Sequence, residues 1–312
     1  MQVQYGVDLI TFYHPEFWGA DGREAFEQRA ASDPRRFWDR IVESVVAAGI
    51  TGVEVTFPPG DWETAVRTYE SAAGFASHLR ESGISVISGF FSGLEEHEKL
   101  EDPGVQRQVI DEALRYSEFL QQAGASVLVS GMPMRSQGTP EQPNFVDFDY
   151  AKRVSDLINR VGAAALSQGV RLALHTEVGS VFCVRRDIDL FLSLTDPAYV
   201  DLCPDTAHIY LGGVSPVEVL ADHYERVTIA HWKDAVGRWP NTDLANEDRF
   251  ILEAEYFRRV GTGDVDWPGW VRGLDKAGFE GWAILELDAA PNPVQDMTAA
   301  RKFAEDLVAT AG

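Results

Sequence analysis

Short β-branched runs alternate with longer stretches of helical period along the chain, and this alternation limits the fold more than any other feature. The runs occupy residues 3–10, 51–57, 85–91, 126–131, 171–177, 200–205, 227–234 and 281–288. Between them lie helices with readable ends. Asp33-Pro34 offers an N-cap and a first-turn proline, Phe37, Ile41 and Val45 recur every fourth residue, and Gly49 closes the segment. One stripe of Val66, Tyr69, Ala73, Ala76 and Leu79 runs to Gly83. Val109, Tyr116 and Leu120 lead to Gly124, and Val154, Leu157, Ile158, Val161 and Ala165 lead to Gly169. Strand, helix, glycine, strand in repetition asks for a parallel sheet covered by helices. Eight candidate strands suit a closed (β/α)8 TIM barrel. The rival, a doubly wound open sheet, usually carries a glycine-rich phosphate turn after its first strand. Here that strand runs into Thr11-Phe12-Tyr13-His14-Pro15 instead. The reading is therefore α/β: one TIM-barrel domain over residues 1–312, with extended loops at 132–148 and 235–260 on its C-terminal face.

Charge narrows the partners. The chain has 27 basic and 49 acidic residues, a net charge of −22. Such a surface repels phosphate backbones and anionic lipid, so no nucleic acid and no membrane partner is expected. No basic leader opens the chain and no window offers ~18 uninterrupted apolar residues, which reads as cytoplasmic. Cys183 and Cys203 cannot build a disulfide framework.

Barrel enzymes carry their chemistry at the C-terminal ends of strands. Strand five ends Leu174-His175-Thr176-Glu177, strand six Cys203-Pro204-Asp205, strand seven His231-Trp232-Lys233-Asp234, and strand eight Leu285-Glu286-Leu287-Asp288. Residues two apart share a face. Leu172 and Leu174 suit the outer helices, so His175 and Glu177 face the axis. Glu177, Asp205, His231 and Glu286 then meet at one mouth. Clustered carboxylates repel unless a cation sits among them. A lone strand-end carboxylate more often caps a helix than binds metal, but four such groups on consecutive strands argue for a divalent ion. Oxygen and nitrogen donors without thiolate favour Mn²⁺ first, with Mg²⁺, Co²⁺ or Zn²⁺ as alternatives. Lys233, one of five lysines, is a candidate substrate contact, with a salt bridge to Glu286 or Asp288 as the structural alternative.

The segments His175-Thr-Glu177-Val-Gly-Ser, Asp205-Thr-Ala-His208, His231-Trp-Lys233-Asp234, Val260-Gly-Thr-Gly263-Asp-Val-Asp-Trp267 and Ile284-Leu-Glu286, with Gly52-Val-Glu54 upstream, resemble the sugar-phosphate isomerase/epimerase superfamily of xylose-isomerase-like barrels. The resemblance implies a divalent metal held by Glu177 or the residue two before it, then Asp205, His231 and Glu286. It matches His208 to a substrate-binding histidine. Histidine at 175 departs from the ketose 3-epimerase pattern and is similar to inosose dehydratases and the catalytic subunits of C-glycoside deglycosidases. Homodimers, or a complex with a small second subunit, are implied by the same relatives.

The implied chemistry is proton abstraction beside a carbonyl. A bound cation stabilises the enolate as a Lewis acid. His175 is the candidate base, supported in its protonated form by Glu177; in the isomerase or epimerase reading Glu177 and Glu286 share the proton work. Elimination of a β leaving group from a keto-sugar or keto-glycoside makes the chain a lyase; reprotonation would make it an isomerase or epimerase. A sugar-binding barrel without catalysis is disfavoured by the completeness of the ligand set. Phe12, Tyr13, His14, Phe17, Trp18, Phe90, Phe91, Met132, Met134 and Phe182 fall on expected rim loops. They suggest an aryl pocket, with His14 as a substrate contact, and so favour deglycosidase-like elimination over inosose dehydration. A small core under the loops is the structural alternative. Only Arg135, Arg185, Arg186 and Lys233 stand near enough to offset the acidity, which argues against phosphorylated substrates.

Overall fold

Eight parallel strands follow the expected order in the computed structural model, which describes residues 1–97, 99–135, 145–239 and 252–311. They are β1 (Gln2–Asp8), β2 (Gly52–Val55), β3 (Ser85–Phe91), β4 (Val127–Ser130), β5 (Arg171–His175), β6 (Val200–Cys203), β7 (Ile229–Trp232) and β8 (Glu280–Leu285). Each pairs with its neighbour in sequence, and β8 returns to lie between β1 and β7. The bridges Leu202↔Val227 and Asp205↔His231 close the seam between β6 and β7. The result is an α/β TIM barrel, and the closing seam itself sets two of the expected site residues side by side.

The strands stop earlier than their β-branched runs. Residues 9–12 form a short 3-10 helix after β1, and Glu177, Asp205, Lys233 and Glu286 all lie just past a strand end. Two helices, Trp62–Tyr69 and Ala72–Glu81, replace the single stripe expected between β2 and β3. The break has a local cause: Ser71 Oγ accepts from Gly74 N at 3.0 Å, starting a second helix, while Glu70 takes φ +66°. An additional helix, Gly22–Ser32, escaped the sequence reading because its residues are mostly polar and exposed. Residues 136–144 and 240–251 of the two expected loops lie outside the described residues. Among the described residues no helix is long and apolar enough to cross a membrane.

Ile87, Phe90, Val127, Val129, Ala173, Cys203, Ile229 and Ile284 pack along the barrel axis, with Trp282 below. Large residues on β3 and β8 are accommodated by glycine on β1 and β2. A Cβ on Gly52 would stand 2.7 Å from the Trp282 ring and 2.9 Å from Ile87 Cδ1. Overpacking of this kind costs about 1–3 kcal/mol. Gly52→Ala is therefore expected to lower the urea midpoint by a corresponding amount, and an unchanged midpoint would show that the ring moves freely. This packed layer forms the floor beneath the polar groups at the C-terminal end.

Candidate metal centre

The period-two pattern on β5 holds in three dimensions. Ala173 joins the axial core while Leu172 and Leu174 join the outer one, so His175 points inward. On β6, Cys203 occupies the axial core one step below Asp205. Asp205 is also the N-cap of the helix Thr206–Leu211: its Oδ1 accepts from His208 N at 2.9 Å. Its backbone N–H donates to Thr176 Oγ1 at 2.8 Å. The capping and functional readings are thus compatible, because Oδ2 remains and faces the barrel mouth.

Single donor atoms from Asp205, His231 and Glu286 lie within 4.8 Å of one another, and Asp205 forms a second such set with His175 and His208. His231 Nδ1 stands 2.7 Å from Glu286 Oε2 and 4.0 Å from Asp205 Oδ2. His175 Nε2 is 3.7 Å from Asp205 Oδ2, and its Nδ1 is 3.9 Å from Glu177 Oε2. The structure therefore brings Asp205, His231 and Glu286 around one point, with His175 beside Asp205. Glu177 lies on the other side of His175, two residues further along the chain. His14, the expected substrate contact after β1, uses its Nδ1 to cap the short helix Pro15–Trp18, accepting from Glu16 N at 3.3 Å.

These residues suit a divalent cation. Asp205 Oδ2, His231 Nδ1 and Glu286 Oε2 are buried and lack a hydrogen-bond partner among the described residues. Donors each ~2.1 Å from one ion necessarily lie about 3 Å apart, so close approach without hydrogen-bond geometry is what an ion cradle requires. Charge balance agrees. Asp8, Glu54, Asp205 and Glu286 are at most 5% exposed, and the permanent cation touching this group among the described residues is Lys233. Burial raises the Asp8 carboxyl well above its ordinary value, and Glu286 and Glu54 add to the effect. For Glu286 burial pushes the same way, but Lys233 and His231 overcome it and hold the group well below the usual carboxylate range.

A donor arm completes the site. Lys233 is 1% exposed, and its ammonium donates to Glu286 Oε1 and stands equally close to Asp288 Oδ1, both at 2.7 Å. It also sits 3.9 Å from the centre of the Phe257 ring. Contact with substrate and salt bridging, the two readings of this lysine, are thus not exclusive. Burial lowers the His208 pKa to about 3 despite Asp205 beside it, so the ring is neutral. Its Nδ1 accepts from Val178 N at 3.1 Å, which puts the proton on Nε2. That N–H faces Lys233 Nζ at 3.4 Å. Two donors turned toward the same space call for an oxygen acceptor between them.

Most of the rim aromatics are not pocket walls. Trp18 stacks on Phe37 at 5.0 Å, and Tyr13, Phe17 and Phe26 pack around the pair. Met132, Phe91 and Phe182 are buried in the outer core. Among the described residues, the aromatic rings against the site histidines are Phe90, edge-on to His175 at 5.4 Å, and Phe257, edge-on to His208 at 5.1 Å. The expected aryl pocket is thus largely a small core beneath the loop after β1. Side chains on an irregular loop have no period, so spacing did not tell inward from outward. The arginines are likewise engaged. Arg135 pairs with Asp187, Arg185 with Asp189 and Asp222, and Arg186 donates to Val146 O.

Asp8, Glu54 and Phe257 belong to this region and were not singled out as site residues from sequence. Asp8 and Glu54 are register partners on β1 and β2. The signal was present: Glu54 shares a face with Gly52, as period two requires.

Fold and site together define a (β/α)8 barrel with a metal-suited cluster at the C-terminal ends of β5–β8. The chain belongs to the xylose isomerase-like TIM barrel family, whose profile matches residues 42–307. An inosose dehydratase of Geobacillus thermodenitrificans (strain NG80-2) is 28% identical over 71% of this chain and 76% of its own length. One from Bacillus velezensis (strain DSM 23117 / BGSC 10A6 / LMG 26770 / FZB42) is 26% identical over 84% and 86%. Among solved structures, the IOLI protein with a bound zinc atom aligns with TM-score 0.73 at 15% identity, over 100% of this chain and 99% of that one. An L-ribulose 3-epimerase aligns with TM-score 0.67 at 12% identity, over 100% and 96%. At these identities the solved structures speak to the fold alone.

Proposed function

We propose that this chain is a divalent-metal-dependent lyase that removes the proton α to the carbonyl of a compact keto-polyol or keto-sugar and releases a β hydroxyl as water. The observation that carries the reading is the set of buried, mutually aimed donor atoms of Asp205, His231 and Glu286, all within 4.8 Å of one another. The inosose dehydratases among its relatives and the zinc-bound structural neighbour support the same class. Among the described residues few rings face the site, which favours a polyol over the aryl glycoside preferred from the rim aromatics.

When bound, the cation supplies Lewis-acid polarisation of the ketone. We assign His175 as the fourth donor, a choice supported by the 3.7 Å approach of its Nε2 to Asp205 Oδ2. Glu177, one step nearer the mouth on the same face, then takes the α-proton. His208 Nε2–H and the Lys233 ammonium bind a substrate oxygen between them. Lys233 is suited to assist the departing hydroxyl, which leaves as water as the C–O bond breaks and the carbon–carbon double bond forms. Its hold on Glu286 and Asp288 keeps the ammonium in place while this happens.

His175→Ala is expected to lose metal, whereas Glu177→Gln is expected to keep metal and lose hydrogen exchange with solvent. The opposite pattern would make His175 the base and Glu177 the ligand. Incubation with inosose and with sugars oxidised to a ketone, in deuterated water, tests the reaction itself. Loss of water with a new conjugated ketone is expected. Deuterium uptake without elimination would instead identify an isomerase or epimerase.

A further inference from the structure

We infer that Glu54 is a positioning residue for His231: its carboxylate holds the imidazole proton on Nε2 and so turns the Nδ1 lone pair toward Asp205 and Glu286. The inference rests on the metal reading proposed above and assigns a role to a residue on the far side of the barrel. Glu54 is completely buried near the end of β2. Its Oε2 accepts from Ser88 Oγ on β3 at 2.6 Å, which fixes the carboxylate from one side. Its Oε1 lies 3.0 Å from His231 Nε2 and has no other partner among the described residues.

A buried carboxylate this close to a ring nitrogen is tolerable only if that nitrogen carries a proton. Nδ1 in turn stands 2.7 Å from Glu286 Oε2, and with a cation among Asp205, His231 and Glu286 it is Nδ1 that gives up its proton and offers its lone pair, while Nε2, facing the Glu54 carboxylate, keeps its own. A histidine that binds metal commonly donates its second N–H to a carboxylate, which fixes the tautomer and raises ligand basicity. The chain Ser88–Glu54–His231 has that form, spanning β3, β2 and β7. No substrate contact is required of Glu54, so its loss acts through His231 alone.

Zinc-loaded wild-type protein labelled with ¹⁵N-histidine tests the tautomer directly. Long-range ¹H–¹⁵N correlation is expected to report His231 with Nε2 protonated and Nδ1 bound to zinc. Zinc on Nε2, with the proton on Nδ1, overturns the inference. Zinc competition with a chromophoric chelator provides a second readout. Glu54→Met keeps the volume without an acceptor and is expected to weaken zinc binding about 10- to 100-fold. Glu54→Gln, whose carbonyl can still accept from Nε2–H, is expected to lose less. A folded Glu54→Met protein with wild-type affinity, even with a lower melting temperature, makes Glu54 a purely structural residue and overturns the proposal. If wild-type protein takes up no zinc, manganese or cobalt at all, the metal reading itself fails, a result distinct from either of these.

Discussion

Replacing Asp234 by alanine is expected to destabilise the protein by about 4 kcal/mol or more, enough to unfold a typical domain on mild heating. Asp234 follows β7 and is completely buried. Its Oδ2 accepts from Gly261 N, Gly263 N and Trp267 Nε1 at 2.9, 2.9 and 2.8 Å. Its Oδ1 accepts from Val265 N and Ala235 N at 3.2 and 2.9 Å. Removing the carboxylate leaves Val265 N, Ala235 N and Trp267 Nε1 buried, and Gly261 N and Gly263 N part-buried, without this acceptor, and each fully buried orphan costs roughly 1–3 kcal/mol. The effect reaches the site, because this loop is continuous with Phe257, whose ring covers Lys233 and His208. Gly263 shows how tightly the loop wraps the carboxylate, since a Cβ there would lie 2.3 Å from Asp234 Oδ1. Urea denaturation provides the check. A loss below about 1 kcal/mol would mean that the loop finds other partners.

Asp205→Asn separates architecture from chemistry at a single residue. Asparagine caps helices about as well as aspartate, so its amide oxygen can keep the bond that Oδ1 now accepts from His208 N. Stability should change by no more than about 0.5 kcal/mol from the cap. The position facing His175 and His231 loses its negative charge and becomes a weak ligand or a donor. Metal content is expected to fall to background. Hydrogen exchange and elimination should slow by at least ~10³, because Lewis-acid stabilisation contributes several kcal/mol to such transition states. Elemental analysis and exchange rates measured on the same preparation decide the matter. A variant that retains both metal and turnover within tenfold would remove Asp205 from the centre.

The barrel was legible because its outer and axial faces alternate along each strand with a period of two. Leu172 and Leu174 alternate with Ala173 and His175, and the same alternation brings Asp205, His231 and Glu286 to one end. Other approaches exist only in three-dimensional pairing. Glu54 reaches His231 from a strand that is not its neighbour in the barrel, and no local pattern encodes that approach. The order of His175 and Glu177 around the centre was ambiguous for a different reason. Both share a face on the sequence pattern, and in the structure His175 is the last residue of β5 while Glu177 lies two residues beyond it. The rim residues Phe12, Phe17 and Trp18 were the hardest to read, because irregular backbone gives aromatic residues no preferred side. Their burial against Phe37 reflects the large apolar area that each ring removes from water.

The central claim is that Asp205, His231 and Glu286 hold one divalent ion. Anomalous diffraction at the zinc edge, from crystals grown with zinc, tests it most directly. The account predicts a single strong peak about 2.0–2.2 Å from Asp205 Oδ2, His231 Nδ1 and Glu286 Oε2. A fully formed barrel with no peak among these three side chains would contradict it.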